Sequence, residues 1–202
     1  MKLIYHRRNT IAKLRTTDQK YGVEVDIRSY GAKLIIHHDP FVIGESFNEW
    51  LEFYQHGTLI LNVKEEGLEA RLINLLASKG IMDYFFLDQS FSSLVKWSKT
   101  LKEHCAVRVS EFESINTALT LAGKVNWVWV DYFTKFPLSG YDALHLNNAG
   151  FKICLVSPEL QGRNAEIEIP ALVSLLRERN IKSDAVCTKR PDLWEKMMAV
   201  SQ

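Results

Sequence analysis

A (β/α)8 barrel, an α/β fold, is predicted for this 202-residue chain from three observations. Short β-rich runs alternate with amphipathic stretches from end to end. The strand candidates number eight, and polar residues gather at their carboxyl ends. The chain is 47% hydrophobic, enough for one sizeable core, and residues 1–202 read as a single domain. About 250 residues is typical of such barrels, so short helices and trimmed loops are expected. An open doubly wound sheet is the runner-up architecture.

The elements follow in order. Leu3-Ile4-Tyr5-His6 is the first strand candidate, and the stretch from Thr10 to Lys20 after it is barely helical. Val23-Glu24-Val25-Asp26-Ile27 is the second, and a further apolar run, Leu34-Ile35-Ile36, follows the turn at Gly31. Ser46-Phe47-Asn48-Glu49 has the form of a capping box and opens a short helix through Phe53. Residues 59–63 form the third strand, after which Leu68, Leu72, Ile73, Leu75 and Leu76 keep helical spacing and stop at Gly80. Residues 84–87 form the fourth, with Leu94, Trp97 and Leu101 helical behind Ser92-Ser93. Strands at 106–109 and 127–130 come next, and the unit around 141–148 is the weaker helix. The strand at 153–156 precedes a helix in which Leu172, Leu175 and Leu176 follow Pro170. The last strand is 185–188, and the last helix starts at Pro191 with Leu193, Trp194, Met197 and Met198.

Composition narrows the function. A formal net charge of +1, from 25 basic and 24 acidic residues, argues against a nucleic-acid binder that works by phosphate neutralisation. No apolar stretch approaches the roughly 20 residues of a membrane span. The basic start of the chain has no apolar region behind it, so no signal peptide is expected. Cys105, Cys154 and Cys187 are odd in number and far apart, each in an apolar run, which reads as buried free thiols in the cytoplasm.

The second strand carries the main functional signal. Alternation puts Val23, Val25 and Ile27 on one face and Glu24 and Asp26 on the other. Two carboxylates held inside a sheet repel each other and lose hydration, so they need a cation or a shared proton. Around them, strand ends supply His6, Asn62, Lys64, Asp88, Arg108, Asp131, Ser157 and Thr188-Lys189-Arg190. His37-His38-Asp39 ends the extra apolar run and would face His6 across the mouth. Two imidazoles flanking a phosphate give a base on one side and an acid on the other. Arg108 and Asp131 are expected below the phosphate, lining the barrel without contacting the ligand.

These residues resemble the glycerophosphodiester phosphodiesterase family, within the larger group of barrel phosphodiesterases that includes phosphatidylinositol-specific phospholipase C. The matching pieces, in order, are His6-Arg7, Asn9-Thr10, Gly22-Val23-Glu24-Val25-Asp26, Ile35-Ile36-His37-His38-Asp39 and Asn62-Val63-Lys64. They cover residues 6 to 64, and the remainder matches only as barrel. The resemblance implies a metal-dependent phosphoric diester hydrolase acting on a glycerol-, polyol- or sugar-linked phosphodiester. It implies His6 and His38 as the catalytic pair and Arg7 and Lys64 as phosphate-holding. Glu24, Asp26 and Asn62 would be ligands of a divalent cation, magnesium or calcium, and the partner a small-molecule phosphodiester.

Three departures mark this chain as a divergent member. The family's third carboxylate ligand is Asn62 here, which removes one negative charge, and Asp88 is the nearest candidate to compensate. Arg8 stands where the stretch between His-Arg and Asn-Thr is nearly deleted. The insertion that covers the site is reduced to residues 41–45, so an open mouth is expected. Two rival readings remain. One is a barrel that binds a phosphorylated ligand without hydrolysis; the other is a binding scaffold using Trp127, Trp129, Tyr132 and Phe133.

Overall fold

Side-chain alternation decides how the sheet curls. In the computed structural model, which describes residues 1–199, Val23, Val25 and Ile27 belong to an outer apolar layer while Glu24 and Asp26 take the opposite, interior face. Ten strands form one sheet: β1 (Lys2–Tyr5), β2 (Gly22–Tyr30), β3 (Lys33–Ile36), β4 (Glu45–Ser46) and β5 (Leu59–Val63), then β6 (Tyr84–Leu87), β7 (Ala106–Val109), β8 (Trp127–Val130), β9 (Lys152–Val156) and β10 (Ala185–Thr188). The helices are α1 (Ile11–Arg15), α2 (Phe47–Leu51), α3 (Glu69–Ser78), α4 (Phe91–Trp97), α5 (Ile115–Leu119), α6 (Gly140–Asn148), α7 (Ala165–Glu178) and α8 (Pro191–Ala199). None of the described helices is long and apolar enough to cross a membrane.

All eight expected strands are present and parallel, in the order β6-β5-β2-β1-β10-β9-β8-β7. The circle is weakest at one place. Between β6 and β7 there is a single parallel bridge, Phe86 to Cys105 just before β7, where the other parallel neighbours run in register. The architecture is a curled α/β sheet with one thin seam, and the closure expected of a (β/α)8 barrel goes as far as that bridge. At the seam the His104 ring stacks on Tyr84, with centroids 4.0 Å apart. Its Nδ1 lies 2.8 Å from the Tyr84 carbonyl oxygen, so a side chain takes an acceptor that a strand partner would use.

The extra apolar run is a strand in its own right. β3 pairs antiparallel with the far half of β2, and β4 pairs with β3. The ribbon turns back close to the sheet at Gly44, where a Cβ would stand 2.1 Å from the Ile36 carbonyl oxygen, so only glycine fits. His37 N then donates to the Asp26 carbonyl at 3.1 Å, which returns the His-His-Asp segment to the mouth.

The helices are short, as the chain length demands. Ser46 caps α2 through Glu49 N, and Thr10 caps α1 through Lys13 N. The weaker unit at 141–148 is a sound helix, since Ser139 and Asp142 make a reciprocal capping box at the start of α6. α7 begins at Ala165 behind the cap Asn164, so Pro170 lies inside the helix instead of opening it. In this second turn it has no N–H for the Glu166 carbonyl, so the helix loses one ladder bond there.

Inside the curl, Ile4, Ile60, Phe85, Trp127, Cys154 and Ala185 form an apolar floor. Phe85 and Trp127 stack there at 4.6 Å. Each large side chain so removed from water contributes about 1.5–3 kcal/mol. Trp127 and Trp129 are both buried in this core; Trp129 also borders the cavity at the mouth, and Trp127 does not. The three cysteines are buried and free. The polar layer of the site rests on this floor.

Candidate active site

The path of the chain out of β1 builds one wall of the mouth. His6 N donates to the Thr188 carbonyl at 2.9 Å, which fixes the exit from the strand. Arg7 then takes a left-handed conformation, φ 51°, sparsely populated for any residue with a Cβ. That turn accompanies a 2.8 Å hydrogen bond from Arg7 N to Glu24 Oε2. Trp50 Nε1 donates to the Arg8 carbonyl at 2.9 Å and anchors the next residue. Asn9 grips Asp26 twice: its Nδ2 donates to Oδ2 at 2.7 Å, and its Oδ1 accepts from Asp26 N at 3.1 Å.

Glu24 and Asp26 are fully buried, and Asn62, the register partner of Asp26 on β5, is 7% exposed. Glu24 Oε1, Asp26 Oδ1 and Asn62 Oδ1 are buried oxygens that accept no hydrogen bond. Leaving a buried acceptor unmatched costs about 1–3 kcal/mol each. Burial, and next the neighbouring Asp26 charge, push the Glu24 carboxyl up to about 7. Arg7 Nε lies 3.3 Å from Asp26 Oδ2 and Lys64 Nζ 3.4 Å from Asp26 Oδ1, ion pairs without hydrogen-bond geometry. Hard oxygen donors of this kind fit magnesium or calcium. Among the described residues no group of three or more His, Cys, Asp or Glu converges as a metal site, so the donor set depends on the Asn62 amide.

A chain of alternating charges crosses to the other wall. Lys64 Nζ reaches Asp88 Oδ2 at 3.1 Å, Arg108 pairs with Asp88 Oδ1, and Arg108 Nη1 meets Asp131 Oδ2 at 2.6 Å. Gln161 Nε2 completes the row on Asp131 Oδ1 at 2.7 Å. Asp88, itself left-handed at φ 61°, is thus taken up by two cations and does not replace the missing carboxylate beside Glu24 and Asp26.

His6 and His38 line one cavity of about 380 Å³ together with Arg7, Asn62, Lys64 and Lys189. Burial first, then the charges of Arg7, Lys189, Lys64 and Arg8, push His6 down to about 3, so its ring is neutral. His6 Nε2 is 3.8 Å from Glu24 Oε2, and its Nδ1 is buried without a partner. His38 Nδ1 lies 2.8 Å from Asp39 Oδ1, which leaves Nε2 as the open ring nitrogen. His37 instead turns its Nδ1 to Asp39 N and does not line the cavity.

All five predicted cavity residues, His6, Arg7, His38, Asn62 and Lys64, share this mouth, and Glu24 and Asp26 lie buried next to Asn62. Arg108 and Asp131 line the same cavity. Sequence reasoning missed Arg28. Its guanidinium donates to the His38 carbonyl (Nε 3.1 Å, Nη2 2.9 Å) and to the Lys64 carbonyl (Nη1 3.2 Å), tying both loops together. The signal was present, because Arg28 continues the alternation of Glu24 and Asp26 one step further. Lys189 was noted only as part of a strand end. Its backbone is set by Glu159, which also accepts from Thr188 Oγ1, and Lys189 makes no ion pair among the described residues.

Fold and cavity define a class: an α/β protein with a polar site at the carboxyl edge of a curled parallel sheet. Solved structures of this fold include a glycerophosphodiester phosphodiesterase from Agrobacterium tumefaciens, at TM-score 0.67 and 15% identity over 98% of this chain and 99% of that one. A glycerophosphoryl diester phosphodiesterase from Parabacteroides distasonis gives TM-score 0.68 and 10% identity, over 99% of this chain and 86% of that one. At these identities the likeness is one of fold. No protein-family model matches the chain, and no curated protein matches its sequence.

Proposed function

We propose that this chain is a divergent glycerophosphodiester phosphodiesterase, one domain that hydrolyses a small phosphodiester with a polyol or related alcohol. The observation that carries the reading is the shared cavity of His6 and His38, set beside three buried oxygens that accept no hydrogen bond. Glu24, Asp26 and Asn62 would hold a magnesium or calcium ion, which supplies positive charge to the phosphodiester and relieves the carboxylate pair. Lys64 and Lys189 attract the phosphate oxygens, Lys189 having no carboxylate to compete for it. Arg7, half-committed to Asp26, supports the same anion.

His6 is neutral and acts as the base, taking the proton of a substrate hydroxyl or water that attacks phosphorus. His38, with Nδ1 held by the Asp39 carboxylate and Nε2 open to the cavity, donates a proton to the leaving alcohol. Arg28 holds the His38 and Lys64 backbones in register with each other. A second reading has its own support: Asp26 already has Asn9, Arg7 and Lys64 around it, which suits a barrel that binds phosphate without hydrolysis.

The test is hydrolysis of bis(p-nitrophenyl) phosphate and of glycerophospho-alcohols across a magnesium and calcium titration, with a chelated control. Cleavage that rises with cation and vanishes on chelation is expected. Absence of cleavage at every cation level, with phosphate binding retained, would select the non-hydrolysing reading.

A further inference from the structure

The seam between β6 and β7 opens into a cleft of about 650 Å³, larger than the mouth beside it and within the range of small-molecule sites. Its buried wall is apolar, formed by Leu87, Leu94, Ala106 and Val107, while polar side chains also line the cleft. Two phenylalanines stand at its rim, Phe91 at 52% and Phe112 at 77% exposure, although neither is needed to close the core. The short helices α4 and α5 leave this edge uncovered.

The cleft is continuous with the mouth. Leu87, Asp88 and Arg108 line both, so the neck between them is the Asp88–Arg108 ion pair. Lys64 meets Asp88 from the mouth side, and Glu113 and Asp131 meet Arg108, so the charges of the neck are already paired. Beyond the neck the buried wall offers contacts to an apolar group, with Gln89, Glu113, Ser114 and Thr117 also lining the cleft.

We propose that the seam cleft holds an apolar chain attached to the substrate's alcohol, so that the preferred phosphodiester carries an alkyl or aryl group. This rests on the reading of the mouth as a phosphate site. The phosphate stays at Lys64 and Lys189, and the chain runs past Asp88 and Arg108 to lie against Leu94 and Val107 under Phe91 and Phe112. A chain that leaves water at this wall gains affinity with each methylene, about twofold per group for a half-open cleft.

The probes are ethyl, butyl, hexyl and octyl phosphate, measured by calorimetry against the wild type and two variants at exposed positions. Thr117→Trp on α5 fills the cleft from its rim, and Phe112→Ala removes a rim ring. The wild type should bind more tightly by about twofold per methylene up to hexyl. Thr117→Trp should keep its affinity for ethyl phosphate and lose the chain-length gain, and Phe112→Ala should lose part of it. Melting curves establish that both variants are folded. Equal affinity for all four probes in the wild type, or an undiminished gain in both variants, overturns the cleft while diester cleavage and ethyl phosphate binding still support the mouth. Failure to bind even ethyl phosphate overturns the mouth, and the cleft proposal with it.

Discussion

The two walls of the mouth carry similar charged groups and use them in opposite ways. On the β6–β8 wall Asp88, Arg108, Asp131 and Gln161 satisfy one another, and the row is closed. On the β2–β5 wall Glu24, Asp26 and Asn62 keep three buried oxygens unmatched while Arg7, Asn9 and Lys64 press on Asp26 from outside. Folding alone has no reason to leave acceptors bare beside donors it could have used. On the proposed reading, the first wall is scaffold and the second is kept for a ligand.

The largest expected effect bears on the open wall. His6→Ala or His38→Ala should lower the rate on an activated aryl diester by about a hundredfold or more, with an unchanged melting temperature. His37→Ala should leave the rate within a few-fold of wild type, since that ring does not line the cavity. A severe His37 variant beside a silent His38 variant would exchange their roles.

Arg108→Ala probes the closed wall. It strands Asp88 and Asp131 without their shared partner, so unfolding in urea should show a loss of about 2 kcal/mol. Unchanged stability with abolished phosphate binding would move Arg108 to the ligand side of the comparison.

Asn62→Glu sharpens the open wall further. A third carboxylate beside Glu24 and Asp26 should tighten magnesium or calcium about tenfold by calorimetry, because affinity in an oxygen site follows ligand charge. Activity should then appear at lower cation concentration. No gain in affinity would mean that Lys64 and Arg7 already fill the cation's place.

The smallest effect is one of pH. Burial and Asp26 hold the Glu24 carboxyl up at about 7 against the usual 4.5, so the folded chain binds more protons than the unfolded chain between those values. Alone, this lowers the stability of the chelated protein as pH rises from about 4.5 to about 7, whereas His6, held down to about 3, raises it between about 3 and 6.5; the two oppose each other, so the fall due to Glu24 should emerge in His6→Ala. Millimolar calcium at pH 8 should recover a few degrees of melting temperature. A flat profile in His6→Ala without cation would show that Lys64 and Arg7 already compensate the pair.

Much of this was legible in the sequence because strand alternation is a local rule. Val23 to Ile27 assigned Glu24 and Asp26 to the interior, and the ladder order follows from eight strands in sequence. What lay outside local rules was set by tertiary contacts. His104 takes the Tyr84 carbonyl across 20 residues and opens the seam, which no periodicity in either segment announces. Asp88 reads as a spare carboxylate until Lys64 and Arg108 are seen to occupy it. Arg28 escaped notice because the strand continues three residues past the apolar run into the ribbon with β3.

The single bridge between Phe86 and Cys105 also leaves the sheet with two strand edges joined at one point only. Edge strands offer unpaired backbone groups to any extended chain that approaches, including another copy of themselves. β6 and β7 are only four residues long, and the Lys102–His104 turn and the His104 ring stand between them. Brevity and a covering side chain are the means by which a sheet with two ends stays apart from its neighbours. Amide hydrogens on this stretch should accordingly exchange with solvent sooner than those of β1, which is paired on both sides by β2 and β10.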